Sequence, residues 1–217
     1  GFSPLFANTE WRPGEIGLVS QSGALGYGIV SLALDRGLSF SRILNTGNEA
    51  TFTSLEVVRD LLLDDVTRVV LVYNEGLQKA DEWPAVARLA LQRDKPIVLL
   101  KVGRSEVGSR AAASHTAALA SDDEVVSAVC RQLGIVRADD VDHLLDLAAT
   151  LRQPRRPKGK RVGILTTSGG AGVMAADGCA DYGLEVAGLR DDTRAQLQAI
   201  VPWFGSVLNP VDVTAQV

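Results

Sequence analysis

Two short turns with similar glycine spacing are the first residues in this sequence that could bind an anion. Ser20–Gly23 and Ser168–Gly172 each follow an apolar run and precede a helical stretch. The start of a helix presents unpaired backbone N–H groups and a positive dipole end, which suit phosphate. The alternative is that Ser22 and Ser168 only cap their helices. The candidate phosphate-binding residues are Ser20, Gln21, Ser22, Gly23, Ser168, Gly169 and Gly170.

Neither turn carries a common nucleotide-binding or hydrolase signature. Neither is GxGxxG or a Walker loop, so no dinucleotide or P-loop fingerprint is present. Neither is GxSxG, so a serine hydrolase is poorly supported.

The chain has two histidines, His115 and His143, in different surroundings. His143 lies among aspartates in a helical stretch and is predicted to lie on the surface. His115 lies in a loop of small residues after the apolar run that ends at Lys101. Loops at the ends of parallel strands are common ligand sites. From the residues alone, a ligand-site histidine and an ordinary surface histidine both stay open for His115.

One carboxylate is predicted to face the same crevice as these loops. Glu75 lies at the end of the apolar run Arg68–Tyr73, from which Asn74 alone separates it. A carboxylate that bonds one imidazole nitrogen fixes the tautomer and leaves the other nitrogen nucleophilic. A loop or helix-capping carboxylate is the alternative.

The elements that must position these residues alternate between apolar runs and helical stretches. The continuously apolar runs are typical of a parallel sheet covered on both faces, so we predict an α/β fold with a doubly wound parallel sheet. Strands are predicted at Ile16–Ser20, Arg42–Leu44, Arg68–Tyr73 and Ile97–Lys101, and helices at Ala24–Arg36, Ser54–Leu63, Asp81–Gln92, Asp122–Leu133 and Asp139–Leu151, the last with Asp139 as its cap.

A linker and an internal repeat divide the chain. Residues 153–161 hold two prolines, a glycine and five basic residues, which is a linker composition. A strand at Val162–Thr166 then begins a second α/β unit. Residues 16–40 align without gaps with residues 162–186, and both contain a Ser-Gly-x-x-Gly turn. We therefore expect two matching strand–turn–helix units, with both helix N-termini directed at one shared crevice.

Composition excludes several classes of function. The net charge of −4 argues against a nucleic-acid binder. Two distant cysteines exclude a disulfide framework and a cysteine zinc site, no metal is expected, and a reducing cytoplasm fits best. No signal peptide is seen, and no apolar run approaches the ~20 residues of a membrane span. Because Gly1 is not a natural start residue, we expect a piece of a longer protein.

The motifs together resemble the NDP-forming acyl-CoA synthetases, which include ADP-forming acetyl-CoA synthetase and are relatives of succinyl-CoA synthetase. The string Lys-x-Gly-Arg…Ala-Ala-x-Ser-His-Thr, which ends at Thr116, is especially specific. The matching strings, in order, are GEIGLVSQSGALG (14–26), TGNEA (46–50), YNEGL (73–77), PIVLLKVGRSEVGSRAAASHTAALAS (96–121), TTSGGAGVMAAD (166–177) and NPVDVT (209–214).

The resemblance implies an acid–thiol ligase reaction, acyl-CoA + ADP + phosphate ⇌ acid + CoA + ATP. His115 matches the histidine that carries the phosphoryl group, and Glu75 matches the carboxylate that orients it. The two Ser-Gly turns match helix termini that flank the phosphohistidine. The substrate-loop residues implied in the same way are Gly47, Asn48, Ser114 and Thr116.

The resemblance also implies a domain plan and partners. Residues 1–11 would be a linker tail, 12–152 a flavodoxin-like phosphohistidine domain, 153–161 a linker, and 162–217 a second flavodoxin-like domain that is truncated. The partners implied are a Rossmann-like CoA-binding domain and an ATP-grasp domain or subunit, and an oligomer is left open. CoA, ADP or ATP with Mg²⁺, and a small acid would be substrates of the full-length enzyme, with none bound tightly by this chain alone.

Two departures from the family keep an alternative open. The usual Ser-His-Thr-Gly here ends in Ala117, and a later glycine is Ser121. Fewer glycines restrict the swing of the histidine loop. A regulatory acyl-CoA-sensing module of a fused protein acetyltransferase is therefore the alternative function, followed by an anion-binding scaffold without chemistry. Retention of His115 and Glu75 favours the enzyme.

Overall fold

The structure is a computed structural model that describes residues 13–108, 110, 122–155 and 157–215. The chain forms two compact units, with the boundary along the sequence between Pro154 and Arg155. None of the helices among these residues is long and apolar enough to cross a membrane.

The first unit is a five-stranded parallel sheet with helices on both faces. The strand order β2-β1-β3-β4-β5 is the doubly wound, flavodoxin-like order, so the predicted fold class is confirmed. The elements are β1 (Ile16–Ser20), α1 (Gly23–Asp35), β2 (Phe40–Asn45), α2 (Ser54–Leu63), β3 (Val69–Asn74), α3 (Trp83–Gln92), β4 (Ile97–Lys101), α4 (Asp123–Leu133), β5 (Val136–Arg137) and α5 (Val141–Leu151).

The buried side chains of the central strands form one core on each face of this sheet. Successive strand residues point to opposite faces. In β3, Val69 and Leu71 pack with helices α1 and α5, whereas Val70 and Val72 pack with α2, α3 and α4. Burial on both faces explains why β1, β3 and β4 are continuously apolar in sequence.

Side-chain caps fix where the helices begin. Thr53 and Glu56 form a capping box at the start of α2. The pKa of Glu56 is lowered to about 2, mainly because its carboxylate accepts hydrogen bonds from Thr53. A hydrogen bond from Lys79 lowers this pKa further. Asp140, rather than the predicted Asp139, caps α5 by accepting a hydrogen bond from the N–H of His143 at 2.7 Å.

The predicted bounds of β1, α2 and β4 agree with the structure, and the other predicted boundaries of the first unit differ from it by one or two residues. Helix α1 begins and ends one residue earlier than predicted, and α3 begins at Trp83 rather than Asp81. Strand β2 is longer than predicted. It lies at the edge of the sheet, so several of its residues are exposed or polar, and the apolar run that indicates a strand is shorter than the strand itself. Strand β5 was missed because it has only two residues.

The second unit contains two pairs of short parallel strands and two helices. The single strand predicted at Val162–Thr166 is wrong, because two short strands occur there and pair with different partners. The Asn209 side chain donates to the carbonyl oxygens of Val162 and Ala187 and accepts from the N–H of Ile164, all at 2.8 Å, so it links the two pairs. The elements are β6 (Arg161–Val162), β7 (Leu165–Thr166), α6 (Gly169–Asp181), β8 (Glu185–Val186), α7 (Asp191–Gln198) and β9 (Val211–Asp212).

The sequence repeat is reproduced in the backbone of both units. Helices α1 and α6 each have 13 residues and begin and end at aligned positions. Beyond the helix, Gly37 and Gly183 both adopt a left-handed φ, 70° and 63°, which glycine adopts without steric cost. The matching strand–turn–helix units are therefore present. A crevice shared by the two helix starts stays a prediction.

Gly26→Ala is expected to destabilise the first unit. A Cβ at residue 26 would stand 2.5 Å from Asn45 Oδ1 and 3.1 Å from Ser20 Cβ. Because Ser20 lies on β1, which is paired on both sides, we expect a loss of about 1–3 kcal/mol in the free energy of unfolding. Urea unfolding measures it.

Gly28→Ala is the matched control for that substitution. Gly28 lies on the same helix, and a Cβ there meets nothing within 4 Å. Removing a helical glycine at such a position should raise the free energy of unfolding by about 0.5–1 kcal/mol. Equal effects of the two alanines would contradict a close approach of α1 to β1 at Gly26.

Candidate active site at the carboxyl edge of the sheet

The candidate site lies where the strand order of the first unit reverses. Strand β1 pairs with β2 on one side and with β3 on the other. In open α/β sheets, ligands bind in the crevice beyond the carboxyl ends of the strands at this switch point. The predicted turn Ser20–Gly23 begins at the last residue of β1, and Glu75 follows β3, so the fold brings them to the same crevice.

The side chains of the Ser20–Gly23 turn hold the turn together. Ser20 is completely buried, and its hydroxyl donates to the Ser22 carbonyl oxygen at 2.7 Å and accepts from the Ser22 N–H at 3.2 Å. Ser22 Oγ accepts from the N–H of Leu25 at 3.2 Å, so Ser22 is the helix cap that one interpretation predicted. Gly23, the first residue of α1, is exposed. The groups left for an anion are backbone N–H groups at the helix start.

The Gln21 side chain makes four hydrogen bonds that connect the loops of the site. Its Nε2 group donates to Glu49 Oε1 and to the Gly76 carbonyl oxygen, both at 2.9 Å. Its Oε1 accepts from the N–H of Glu75 at 2.6 Å and from the N–H of Gly76 at 3.1 Å. An amide has two donor hydrogens and two lone pairs, and all four are used here. Gln21 therefore ties the loops after β1, β2 and β3 to one another.

Gln21 holds the backbone of Glu75, and the hydroxyl of Tyr73 contacts its side chain. Its N–H is held by Gln21, and its Oε1 accepts from the Tyr73 hydroxyl at 3.5 Å. Burial, with a smaller effect from the Glu75 charge, raises the pKa of Tyr73 to about 12. Tyr73 therefore remains a neutral donor to Glu75 at physiological pH.

The predicted substrate-loop residues Gly47 and Asn48 lie in the loop after β2. Both are exposed, and Gly47 has a left-handed φ of 58°. The loop begins beside the first turn, because the Thr46 N–H donates to the Ser20 carbonyl oxygen at 2.9 Å. The fold thus brings Gly47 and Asn48 to the same edge as the Ser20–Gly23 turn.

Sequence reasoning missed three buried polar residues at this edge. They are Glu49, Asn74 and Lys101, exposed by 8%, 0% and 2%. All three lie inside the motif strings, which was the available signal, but nothing in the sequence separates them from their neighbours. Asn74 donates to Ser54 Oγ at 2.8 Å and so ties the end of β3 to the start of α2.

In the second unit, the Ser168–Gly172 turn repeats the hydrogen bonds of the first. The Thr166 hydroxyl donates to the Ser168 carbonyl oxygen at 2.8 Å and accepts from the Ser168 N–H at 3.0 Å. Unlike Ser22, the Ser168 side chain makes no cap hydrogen bond to described residues. Gly169 and Gly170 are exposed at the start of α6. A Cβ on Gly169 would stand 3.0 Å from Asp212 Oδ2, so a carboxylate lies beside this helix start.

The predicted histidine loop lies outside the described residues. Ser114, His115, Thr116, Ala117 and Ser121 all fall in that segment. The pairing of His115 with Glu75 and the phosphate-binding role of the two turns therefore stay predictions. The described part of the chain holds no group of three or more His, Cys, Asp or Glu residues arranged to bind a metal ion.

The chain has sequence relatives among ADP-forming ligases. It is 37% identical over 207 residues to the alpha subunit of ADP-forming acetate–CoA ligase II of Pyrococcus furiosus, covering 95% of this chain and 45% of the relative. It is 36% identical over 208 residues to ADP-forming acetate–CoA ligase I of Archaeoglobus fulgidus, covering 96% of this chain and 30% of the relative. The chain thus spans less than half the length of these curated relatives.

The fold of the chain also matches solved structures, one of which is an acetyl-coenzyme A synthetase. The dinucleotide-forming acetyl-coenzyme A synthetase 1 of Candidatus Korarchaeum cryptofilum, in complex with phosphate and ADP, matches with a TM-score of 0.85 at 32% identity, over 98% of this chain and 46% of that one. A protein of Pyrococcus horikoshii OT3 matches with a TM-score of 0.80 at 30% identity, over 96% of this chain and 43% of that one.

Two family models match the chain and confirm the resemblance inferred from the motifs. The model described as a Ligase-CoA domain matches residues 162–216. The model described as a succinyl-CoA ligase like flavodoxin domain matches residues 13–151. With that match extending over more than half of the sequence and a sheet in the flavodoxin-like order, the chain belongs to the family of succinyl-CoA ligase like flavodoxin domains.

Proposed function

We propose that this chain is the phosphohistidine-carrying part of an ADP-forming acyl-CoA ligase. The observation that carries the proposal is Glu75, which Gln21 and Tyr73 hold at the switch point of the sheet. The relatives named as ADP-forming acetate–CoA ligases support the same reaction type. Neither these relatives nor the described residues favour the regulatory alternative.

In the proposed reaction, His115 moves a phosphoryl group between two substrates. Phosphate attacks the acyl carbon of acyl-CoA, and CoA leaves to give an acyl phosphate. One nitrogen of His115 attacks the phosphorus, the bond to the acid oxygen breaks, and the acid is released. ADP then attacks the phosphohistidine, the N–P bond breaks, and ATP forms. Glu75 accepts the N–H on the other imidazole nitrogen and offsets positive charge while the N–P bond exists.

Backbone groups at helix starts supply the phosphoryl site in this proposal. The N-termini that follow Ser22 and Ser168 offer N–H groups and dipoles that stabilise the added negative charge. The side chains of Ser20 and Gln21 shape the first turn rather than contact the phosphoryl group, because their hydrogen bonds lie within the protein. Gly47, Asn48, Ser114 and Thr116 would line the substrate loops.

The proposed activity needs groups on other domains or subunits. A Rossmann-like domain would bind CoA, and an ATP-grasp domain or subunit would bind ADP with Mg²⁺ as substrate. The relative of known structure was solved with phosphate and ADP, which supports these substrates. Within this chain, we propose residues 12–152 as the phosphohistidine domain, 153–161 as a linker and 162–217 as a second flavodoxin-like domain.

His115→Ala is expected to abolish phosphorylation of the chain. In the protein assembled with its nucleotide-binding partner, radioactive ATP should label the unsubstituted chain with an acid-labile, base-stable phosphate, because phosphohistidine has those stabilities. His143→Ala is the matched control, since it replaces the other histidine of the chain, on the surface of α5. Full labelling of His115→Ala would refute the proposed function.

Glu75→Gln is expected to keep the fold but slow labelling. A glutamine can accept the same hydrogen bond but cannot offset the positive charge on the imidazole, so we expect a loss on the order of 10²-fold. Rapid-quench measurement of the phosphorylation rate gives the comparison. Glu82→Gln is the control, because Glu82 lies at the start of α3 and pairs with Arg59 and Lys79. A rate for Glu75→Gln equal to that of the control would remove Glu75 from the mechanism.

A further inference from the structure

We propose that Glu49 is a positioning residue that holds Glu75 in place through the Gln21 amide. The inference rests on the proposed function, because it assumes that Glu75 orients the phosphorylated histidine. Glu49 lies in the loop after β2, in a motif string where sequence reasoning had selected only Gly47 and Asn48.

Glu49 occupies its position at a cost to the fold. It is only 8% exposed, although it carries a carboxylate. Its φ is 57°, in the left-handed region that non-glycine residues rarely adopt. Its Oε2 is buried and makes no hydrogen bond within the described part of the chain. Strain of this kind persists only where the surroundings fix it, and it clusters at functional sites.

The other carboxylate oxygen joins two loops. Glu49 Oε1 accepts from Gln21 Nε2 and from the N–H of Ser54, both at 2.9 Å. Ser54 is the first residue of α2, so its N–H and the helix dipole favour a negative charge there. The carboxylate is thus anchored at the start of α2 and reaches from there to the loop after β1.

This contact, together with the Gly76 carbonyl oxygen, determines which way the Gln21 amide faces. A carboxylate only accepts hydrogen bonds, so the side of Gln21 that meets Glu49 must be Nε2. Its Oε1 is then directed at the N–H groups of Glu75 and Gly76, which it accepts at 2.6 and 3.1 Å. Without an acceptor at residue 49, the Gly76 carbonyl oxygen would be the one remaining acceptor for Nε2 among the described residues, and the amide would no longer be tied to the loop after β2.

Loss of the Glu49 contact would displace Glu75 but would not remove any reacting group from the site. Glu75 would keep its carboxylate, but its backbone would no longer be fixed relative to β1. Misplacement of a catalytic group by about 1 Å can cost on the order of 10²-fold in rate. Within the described part of the chain, the Glu49 carboxylate bonds to Gln21 and to the N–H of Ser54, and Gln21 passes its effect on to Glu75.

Two amide variants of Glu49 test whether the length of the side chain matters. Both remove the negative charge, so they differ in length and in how well they tolerate the left-handed φ. Glu49→Gln keeps an acceptor oxygen at the same distance along the side chain. Glu49→Asn carries the same amide one methylene shorter, and asparagine tolerates the left-handed φ better. We expect Glu49→Gln to retain labelling within about threefold, and Glu49→Asn to lose about 10- to 100-fold in the maximum rate. The ATP concentration for half-maximal rate should not change, because ATP would bind to the partner.

Hydrogen exchange of backbone amides tests the contact between Glu49 and Gln21 without depending on the phosphorylation reaction. Hydrogen exchange of the Glu75 and Gly76 amides should speed up in Glu49→Asn and stay near that of the unsubstituted chain in Glu49→Gln. Glu56→Ala is the control for loss of stability, since it removes the capping box of α2 without touching Gln21. That variant should unfold at lower urea concentration but keep both the rate and the exchange of these two amides.

The possible outcomes distinguish this inference from the proposed function. Normal exchange of Glu75 and Gly76 in Glu49→Asn, or equal labelling rates in Glu49→Asn and Glu49→Gln, would overturn the role of Glu49. Failure of His115→Ala to lose the label would overturn the proposed function instead, whatever the exchange data give. Fast exchange together with slow labelling, in Glu49→Asn alone, supports the inference.

Discussion

The geometry of the candidate site depends on one side-chain amide, that of Gln21. Parallel strands end at the same edge of a sheet, but the loops that follow them are not held together by the sheet itself. The four hydrogen bonds of Gln21 supply that connection, from the start of α1 to Glu49 and to the turn at Glu75 and Gly76. Because every donor and acceptor of the amide is used, a shift of any one loop breaks a bond to another.

The internal bonds of the two Ser-Gly turns explain what the repeat preserves. A hydroxyl at the end of the strand, Ser20 or Thr166, makes the same two bonds to the backbone of the serine two residues later. Those bonds aim the chain into the helix and leave its first N–H groups to face outward. The repeat therefore preserves the way in which each helix is started, and the proposed anion site would use the N–H groups that this leaves unpaired. The side chains around the two turns differ, since Ser20 is buried and Thr166 is not.

The sequence predicted the fold better than the site, for a physical reason. Burial on both faces leaves a direct record in β1, β3 and β4 as unbroken apolar runs, whereas the edge strand β2 and the two-residue β5 leave a weak one. Glu75 was predictable because it follows a strand directly. Glu49 was not, because its burial and left-handed φ depend on partners that come from other loops. The split of the strand predicted at Val162–Thr166 likewise depends on a distant residue, Asn209.

A phosphoryl group that must be passed on should be held by many weak dipoles rather than by one strong charge. Lys101 ends β4 at the same edge as the site, yet its ammonium is buried and donates to the Gly103 carbonyl oxygen at 3.3 Å. Burial is also the main effect on its pKa, which it lowers. An ammonium exposed to the phosphoryl group would add a charge-assisted hydrogen bond of about 1.5–3 kcal/mol, which would slow the release of the group. In the proposed function, the burial of Lys101 would leave the backbone N–H groups and the dipole at the start of α1 to stabilise the phosphoryl group, and these weaker interactions would let the group be passed on.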